Sequence, residues 1–335
     1  MFQRLKNIAT QSAWIADPPF TEKELPDQQG KVHIVTGGYS GVGLELVKIL
    51  YAKNATVYVA GRSAEKANAA IKTVKEGANP DAGGQGRVEF LQLDLAHLAS
   101  IKKSADEFLA KEQRLDVLTN NAGVMFPPKG SKTEEGHDLQ LGTNCLGPFL
   151  FTQLLLPLLR KTAASSPPGS VRVTWAASLA IDLLSPAHGV DLDEETGAPK
   201  VLSLPQQNYG QSKSGNLFLG TEFARRYSKD DGIVSVSWNP GNLYTDLYRH
   251  TGPIERVVAG GVLYPPIKGA YTELYAGWSP DITINNSGCL VLPWGRIQQP
   301  RIGLEEAIKR KDEEGGLGIA EKFWEWCERE TKAYM

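Results

Sequence analysis

A tyrosine and a lysine four residues apart, Tyr209 and Lys213, carry the clearest chemical signal in the sequence. The surrounding pattern predicts a helix, on which the two side chains lie on one face, one turn apart. An ammonium group beside a phenol favours the phenolate and lowers the phenol pKa from about 10 toward neutrality. Such a phenol can give a proton to a carbonyl oxygen, or take one from an alcohol, near pH 7. The pair therefore predicts general acid–base chemistry.

A glycine-rich turn far upstream predicts a nucleotide site. A short apolar strand at 32–36 is followed at once by glycines at 37, 41 and 43 and by a helix at 42–51. Glycines let the chain turn tightly and let the backbone approach a pyrophosphate, and the N–H groups that start the helix face the anion. The residues expected to bind the nucleotide here are Thr36, Gly37, Tyr39, Ser40, Gly41, Val42 and Gly43.

Together with several later motifs, these two patterns resemble the short-chain dehydrogenase/reductase family. The motifs occur in the family's order: Thr-Gly-x-x-x-Gly-x-Gly at 36–43, Asp94-Leu95, Asn121-Ala122-Gly123, Asn144, Ser178, Tyr-x-x-x-Lys at 209–213 and Asn239-Pro240-Gly241. The resemblance covers about residues 31–247. Within the family, the sequence resembles the retinol-dehydrogenase-like and fungal secondary-metabolism branch. It implies hydride transfer between a nicotinamide cofactor and a carbonyl or alcohol.

The resemblance also assigns roles to single residues. Tyr209 would act as the general acid or base, and Lys213 would assist it and hold the nicotinamide ribose. Ser178 would hydrogen-bond the substrate oxygen, and Asn144 would hold a water that relays protons to Lys213. Three departures from the family pattern are the 31-residue distance from Ser178 to Tyr209, Ala177 in place of the first of two consecutive serines, and an imperfect match after Gly241. The cofactor residues implied at this end of the site are Asn121, Ala122, Gly123, Tyr209, Lys213, Pro240, Gly241 and Thr245.

The end of the second predicted strand bears on the choice of cofactor. An acid there would bind the ribose 2′-hydroxyl of NAD and repel a 2′-phosphate. Residues 60–63 contain no acid, and Arg62 offers a guanidinium that can bind phosphate in a bidentate manner, with Lys66 near it. The alternative interpretation makes Arg62 a solvated surface charge. The sequence favours NADP(H), and by resemblance Asp94 contacts the adenine while Leu95 packs beside the ring.

These residues need a scaffold, and the alternation of strands with helices predicts one. Strands are expected at 32–36, 56–60, 88–93, 116–121, 170–176, 233–238 and near 289–292, with helices between most of them and one at the C-terminus. Such alternation predicts an α/β Rossmann fold: a doubly wound parallel sheet with helices on both faces. The expected division is an N-terminal extension at 1–30 and a single domain at 31–335. Its nucleotide-binding half spans about 31–175, and its catalytic and substrate-lid half spans about 176–335.

Two segments near the predicted substrate site suggest an apolar ligand. Residues 181–208 are predicted to form a surface excursion near the substrate mouth. Beyond Thr245, apolar residues at helical spacing are expected to form a lid over an apolar pocket, although core packing or a subunit contact fits them equally: Leu247, Tyr248, Ile254, Val257, Val258, Val262, Leu263 and Tyr264. No run of Arg or Lys selects an anionic substrate there, so a lipophilic ketone, aldehyde or alcohol is expected.

Composition narrows the class further. A net charge of −2 and dispersed basic residues do not suggest nucleic-acid binding. The three cysteines, Cys145, Cys289 and Cys327, lack the spacing of a disulfide framework or a metal site, which suits a reducing compartment. The apolar run at 149–159 is too short for a membrane span, which takes about 20 residues, and residues 1–20 lack a signal-peptide pattern. The sequence therefore predicts a cytoplasmic protein without metal, and it leaves a homodimer open.

Three functions follow from the motifs. The first is an NADP(H)-dependent oxidoreductase acting on a carbonyl or alcohol of a lipophilic metabolite. The second is an NAD-dependent alcohol dehydrogenase, and the role of Arg62 decides between the two. The third is a non-catalytic nucleotide-sensing protein, which the retention of Asn144, Ser178, Tyr209 and Lys213 disfavours.

Overall fold

A sheet of eight strands in the order β3-β2-β1-β4-β5-β6-β7-β8 forms the centre of the computed structural model, which describes residues 11–12, 15–77, 86–244, 263–312 and 316–335. The strands are β1 (Val32–Thr36), β2 (Thr56–Gly61), β3 (Arg87–Gln92), β4 (Val117–Asn120), β5 (Val171–Ala176), β6 (Ile233–Trp238), β7 (Leu290–Leu292) and β8 (Arg296–Gln298). The helices are α1 (Gly41–Ala52), α2 (Ala64–Glu76), α3 (Leu98–Lys111), α4 (Gly147–Ala164), α5 (Ala180–Leu183), α6 (Pro205–Asp231), α7 (Pro266–Trp278), α8 (Ile302–Ile308) and α9 (Ile319–Thr331). The predicted Rossmann-type α/β fold is confirmed.

The last strand corrects the expectation of a wholly parallel sheet. The pairs from β3 through to β7 are parallel, whereas β8 runs antiparallel to β7. Three residues, 293–295, join the two strands, and a connection that short permits only a hairpin. The sequence analysis missed β8 because a three-residue strand with two polar residues carries almost no periodic signal.

Two apolar layers cover the two faces of the sheet. Side chains alternate along β2, so that Val57 and Val59 pack on one face while Tyr58 and Ala60 pack on the other. The first face is covered by α1, α2 and α7, and the second by α3, α4, α6 and α9. This arrangement leaves the strand ends, rather than the faces, available for a site.

The helix α4 is preceded by a π-helical turn, Gly142–Leu146. With that turn it belongs to the stretch Leu139–Ala164, which is long and apolar enough to cross a membrane by length and composition alone, although 78% of its most apolar window is buried inside the protein. This burial is typical of a helix in the core of a folded domain. Single π-helical turns often occur at functional sites.

The region predicted to form a lid is described only in part. Residues 245–262 lie outside the described residues, and with them Thr245, Leu247, Tyr248, Ile254, Val257, Val258 and Val262. Tyr264 forms an isolated bridge with Leu243 and packs on Trp294, with ring centroids 4.7 Å apart. The helix α7, which the sequence analysis did not identify, follows directly and packs against α1 and β6. The lid and the two-part domain division remain predictions.

A carboxyl group in α7 is expected to reduce the stability of the fold. Glu273 is fully buried, and neither of its side-chain oxygens has a hydrogen-bond partner. Burial raises the pKa of Glu273 well above its ordinary value. The unfolded chain releases this proton above about pH 4.3 while the folded chain keeps it, so stability falls as pH rises through that window.

We therefore expect Glu273→Leu to raise the free energy of unfolding near pH 7 by about 1–3 kcal/mol. The gain over the unsubstituted protein should widen by up to about 1.4 kcal/mol per pH unit above pH 5. Urea unfolding of the cofactor-free protein at pH 5, 6 and 7 measures it. Glu325→Gln, at an exposed position in α9, is the control and should shift stability by less than about 0.5 kcal/mol. A gain in Glu273→Leu that does not change with pH would contradict the raised pKa.

Candidate active site

A cavity of about 620 Å³ opens at the carboxyl ends of β1 to β6. Much of its lining comes from the segments that directly follow these six strands, including Gly37 after β1, Arg62 after β2 and Ser178 after β5, and helices supply further residues such as Lys66. The sheet order reverses between β1 and β4, and open α/β sheets bind ligands beside such a reversal. The topology therefore places one large cavity where a nucleotide would be held.

The glycine-rich turn forms the floor of this cavity. Gly37 and Gly41 have φ angles of +68° and +54°, which favour glycine. A Cβ atom at Gly43 would lie 2.6 Å from Asn121 Nδ2, and that amide donates a hydrogen bond of 2.7 Å to the carbonyl oxygen of Thr36. The glycine-rich turn therefore packs closely against the segment after β4, and this packing leaves no space for a side chain at residue 43.

The start of α1 has the features of an anion-binding site. The side chain of Ser40 makes no capping hydrogen bond, and the first turn contains no acidic residue. The first N–H groups of a helix lack partners within the helix and carry partial positive charge. Since Ser40, Gly41 and Val42 line the cavity, the residues present fit a bound diphosphate.

The end of β2 has no space for an acidic side chain. A Cβ atom at Gly61 would lie 2.2 Å from Cε1 of Tyr39, whose ring covers the strand end. Arg62 and Lys66 both line the cavity beside it. A ribose that reached this position would therefore meet basic side chains and an aromatic ring instead of a carboxylate.

The neighbouring strand β3 adds further residues to this part of the cavity. Asp94 and Leu95 follow β3 and line the cavity. The carboxylate of Asp94 accepts a hydrogen bond of 2.9 Å from the backbone N–H of Ala96, which fixes the turn after the strand. The adenine contact itself stays a prediction.

Ser178, Tyr209 and Lys213 all line the same cavity. Tyr209 is 4% exposed, and its ring packs edge-on against Phe126 with centroids 5.4 Å apart. The Nζ atom of Lys213 lies 5.7 Å from the centroid of the Tyr209 ring. Ser178 Oγ accepts a hydrogen bond of 3.2 Å from the backbone N–H of Ala180. Ser178 lies 31 residues before Tyr209 in the sequence. The fold nevertheless brings Ser178, Tyr209 and Lys213 into one site.

Burial changes the chemistry of Lys213. Its Nζ atom donates a hydrogen bond of 2.9 Å to the carbonyl oxygen of Ala176 at the end of β5. The lack of solvent lowers the pKa of Lys213 to about 8. One proton of the ammonium group is thus hydrogen-bonded to the backbone, and burial disfavours the charged form of Lys213 relative to the neutral amine.

Asn144 lies behind the cavity rather than in its lining. Its side chain is fully buried within the π-helical turn and makes hydrogen bonds to the backbone of Val124 in both directions, at 2.8 and 3.1 Å. Its Nδ2 atom also donates to Ser212 Oγ at 2.9 Å. A Cβ atom at Gly123 would lie 3.1 Å from Asn144 Oδ1 and 3.4 Å from Lys213 Nζ, so the amide and the ammonium approach the same point.

An apolar patch surrounds the Tyr209 ring. Met125 and Ala180 are buried with it, and Phe126 and Leu184 pack against the group. Within this patch, Met125 and Tyr209 line the cavity. Met125 therefore gives the cavity an apolar surface beside the Tyr209 ring.

The structure gathers most of the residues singled out by the sequence. Those that line the cavity are Gly37, Tyr39, Ser40, Gly41, Val42, Arg62, Lys66, Asp94, Leu95, Asn121, Ala122, Gly123, Ser178, Tyr209, Lys213, Pro240 and Gly241. Thr36, Gly43 and Asn144 lie behind this lining, and Thr36 Oγ1 accepts from the N–H of Ala122 at 2.9 Å. Thr245 lies outside the described residues.

Several cavity residues were not identified from the sequence. Val124 and Met125 follow the Asn-Ala-Gly motif, and Asn242 and Leu243 follow the Pro-Gly motif. Their position directly after a strand-end motif could have identified them from the sequence. Residues that follow the strands of a parallel sheet lie near the crevice in which ligands bind.

Metal and disulfide chemistry have no candidate residues in the part of the chain that the structure describes. No group of three or more His, Cys, Asp or Glu side chains there could hold a metal ion. Cys145, Cys289 and Cys327 are unpaired, and burial raises the pKa of each thiol, to about 12 for Cys289.

Comparison with known proteins is consistent with this geometry. The family model described as short chain dehydrogenase matches residues 31–171. A short-chain dehydrogenase/reductase of the fungus Phomopsis amygdali is 46% identical over 338 residues, covering 100% of this chain and 99% of the relative. Another, of Neocamarosporium betae, is 42% identical and covers 95% of this chain and 91% of the relative.

Solved structures show the same fold. A crystal structure of a protein from Mycobacterium paratuberculosis is 27% identical and superposes with a TM-score of 0.66, covering 93% of this chain and 97% of that chain. RhlG of Pseudomonas aeruginosa, in a complex with NADP, is 22% identical with a TM-score of 0.59, covering 79% of this chain and 95% of that chain. The second likeness bears on the fold alone.

Proposed function

Because the chain belongs to the short-chain dehydrogenase/reductase family, we propose that it is an NADP(H)-dependent oxidoreductase acting on a carbonyl or alcohol of a lipophilic metabolite. One observation carries the proposal: Ser178, Tyr209 and Lys213 line the same cavity as the glycine-rich turn. Binding of a dinucleotide along the strand ends would therefore bring its far end to the phenol. When bound, the nicotinamide supplies or accepts the hydride.

Tyr209 and Ser178 would act on the substrate oxygen. In the reductive direction the phenol donates its proton to the carbonyl oxygen, and in the oxidative direction the phenolate takes it back. Ser178 Oγ donates a hydrogen bond to the same oxygen and stabilises the negative charge that develops there. The charged form of Lys213, 5.7 Å from the ring centroid of Tyr209, stabilises the phenolate left after proton donation.

Lys213 and Asn144 would prepare Tyr209 for the next turnover. One N–H of Lys213 is held by Ala176 O, which orients the remaining donors toward the cavity and the ribose hydroxyls. Both Nδ2 protons of Asn144 are used within the protein, by Val124 O and Ser212 Oγ. We infer that Asn144 first positions the segment after β4, and that Oδ1, which keeps a second lone pair, accepts from the relay water.

The apolar patch supports a lipophilic substrate. Met125, Phe126 and Leu184 surround the Tyr209 ring without a charged group among them. An apolar ketone or aldehyde gains from burial against these side chains. The fungal origin of the relatives supports a role in secondary metabolism.

The preference for NADP(H) follows from the end of β2. The Tyr39 ring excludes a side chain at Gly61, and Arg62 and Lys66 line the cavity next to it. A 2′-phosphate would gain charge-assisted hydrogen bonds there, and a free 2′-hydroxyl would find no carboxylate to accept from it.

We expect Arg62→Ala to raise the Kd for NADPH about 10- to 100-fold, because a hydrogen bond to a charged group contributes about 1.5–3 kcal/mol. The Kd for NADH should change less than about threefold, since NADH lacks the phosphate. Fluorescence titration with both nucleotides measures the two constants. Lys75→Ala is the matched control, because Lys75 is exposed on α2 and does not line the cavity. An equal loss of affinity for NADH and NADPH would mean that Arg62 supports the fold rather than binding the 2′-phosphate.

A turnover screen of the unsubstituted protein over lipophilic ketones, aldehydes and alcohols tests the function itself. Tight NADPH binding with turnover supports the proposal. A preference for NADH with turnover of alcohols would instead make it an NAD-dependent alcohol dehydrogenase. Binding of nucleotide without any turnover would favour a nucleotide-sensing role.

A further inference from the structure

The N-terminal segment reaches the strand ends that carry the reacting groups. Gln11, which is far from β5 and β6 in the sequence, is only 2% exposed. Its Nε2 donates a hydrogen bond of 3.2 Å to Asp182 Oδ2, and its Oε1 accepts one of 2.9 Å from Asn239 Nδ2. Next to it, Ser12 Oγ accepts from Asn242 Nδ2 at 3.2 Å, and Asn242 lines the cavity.

The two partners of Gln11 belong to the segments that follow two neighbouring strands, β5 and β6. Asp182 lies in α5, four residues after Ser178. Asn239 directly follows β6, and its Oδ1 accepts a hydrogen bond of 3.1 Å from the N–H of Gly241. One amide side chain therefore joins the loop that carries Ser178 to the turn that carries Pro240 and Gly241.

The loop after β5 is held independently on its other side. Arg301 donates hydrogen bonds to Ile181 O at 3.2 Å, to Ser185 Oγ at 2.9 Å and to Pro186 O at 2.6 Å. Its guanidinium lies 3.9 Å from Asp182 Oδ1. The charge of Asp182 is therefore compensated from the C-terminal region, and removing Gln11 does not leave a buried carboxylate without a cation.

We propose that Gln11 is a positioning residue for the carbonyl substrate, and that Gln11 and Ser12 support the wall of the substrate site from behind, through Asn239 and the cavity-lining Asn242. This inference rests on the proposed oxidoreductase function. By joining Asp182 to Asn239, Gln11 sets the distance between Ser178 and the Pro240–Gly241 turn, and hence the width of the space for the carbonyl group. The pyrophosphate and adenine contacts are expected from the segments after β1, β2 and β3, whereas the side chain of Gln11 bonds to Asp182 and to Asn239. Of the expected nucleotide contacts, those of Pro240 and Gly241 at the nicotinamide end are the ones that depend on Gln11.

Gln11→Leu in the full-length protein tests this, because leucine keeps the volume of the side chain and removes both hydrogen bonds. We expect the KM for the carbonyl substrate found in the screen to rise about 5- to 50-fold, from two hydrogen bonds lost. The Kd for NADPH should rise by less than about threefold, because Pro240 and Gly241 are the expected cofactor residues nearest to Gln11 and the phosphate contacts lie elsewhere. Hydrogen–deuterium exchange should be faster in peptides that cover 179–187 and 238–244.

Gln29→Leu is the matched control, since Gln29 is an exposed glutamine in the same N-terminal region. It should leave KM and exchange unchanged. An unchanged KM and unchanged exchange in Gln11→Leu would overturn the proposal, as would an equal loss of NADPH affinity. Failure of the function itself would look different, because the unsubstituted protein would then show no turnover while the exchange measurement still reports on Gln11.

Discussion

Tyr209→Phe should lower kcat for carbonyl reduction by about 10²- to 10⁴-fold, the usual contribution of a general acid. Phenylalanine keeps the ring that packs on Phe126 and beside Lys213, and it removes only the hydroxyl group that donates the proton. The apolar patch around the ring stays filled, so no cavity forms. The Kd for NADPH should therefore remain within about threefold of its original value, as the phosphate and adenine contacts lie elsewhere.

Steady-state kinetics and a fluorescence titration on the same preparation separate these two effects. Tyr227→Phe makes the same chemical change in the same helix, at a half-buried position that packs on Phe223 and Trp324 away from the cavity. It should keep nearly full activity. If Tyr209→Phe kept full activity as well, another group would have to donate the proton, and the role assigned to Tyr209 would be wrong.

The parts of the site encoded locally were predictable from the sequence. The strand before Gly37, the glycine spacing and the helix after it are contiguous, so the turn could be placed before any fold was known. Tyr209 and Lys213 lie within one helical turn, and their common face follows from helix geometry alone. The order of motifs then placed Ser178 and the Asn-Ala-Gly segment at the same edge of the sheet.

Contacts between distant parts of the chain were not predictable in this way. Gln11 meets Asn239 across a sequence separation of 228 residues and Asp182 across 171. A single glutamine in a polar N-terminal segment has no local pattern that marks it as buried. Arg301 is similar, because an arginine that binds loop carbonyl groups cannot be told from a solvated one by its neighbours in sequence.

Asn144 shows how tertiary packing modifies the start of a helix. It lies in the π-helical turn before α4 rather than in α4 itself. A Cβ atom at Gly147 would lie 2.4 Å from Leu95 O, so this helix start fits tightly against the segment after β3. The extra residue in the π turn lets Asn144 reach both Val124 and Ser212. This arrangement results from tertiary packing and cannot be predicted from the helix propensities of the residues.

Lys213→Met should abolish activity and at the same time make the cofactor-free protein more stable. Loss of the charge beside the phenol should lower kcat/KM at least about 100-fold. Methionine has similar length and no charge, and it leaves Ala176 O with its second donor, Asn216 Nδ2, at 2.8 Å. Because burial lowers the pKa of Lys213 to about 8, the folded protein disfavours the ammonium relative to the unfolded chain, where the pKa is about 10.4. The free energy of unfolding at pH 7 should rise by about 1–3 kcal/mol.

The pH dependence identifies the cause of that gain. Below about pH 8 the folded protein carries the full cost of the buried charge, so the difference between Lys213→Met and the unsubstituted protein should be constant there. Between pH 8 and about 10.4 the folded lysine loses its proton first, and the difference should shrink. Lys229→Met, at an exposed position in the same helix, should show no such change. A loss of stability in Lys213→Met would mean that the ammonium helps to hold the fold together. A gain combined with inactivity would mean that this buried charge serves the reaction at the expense of stability.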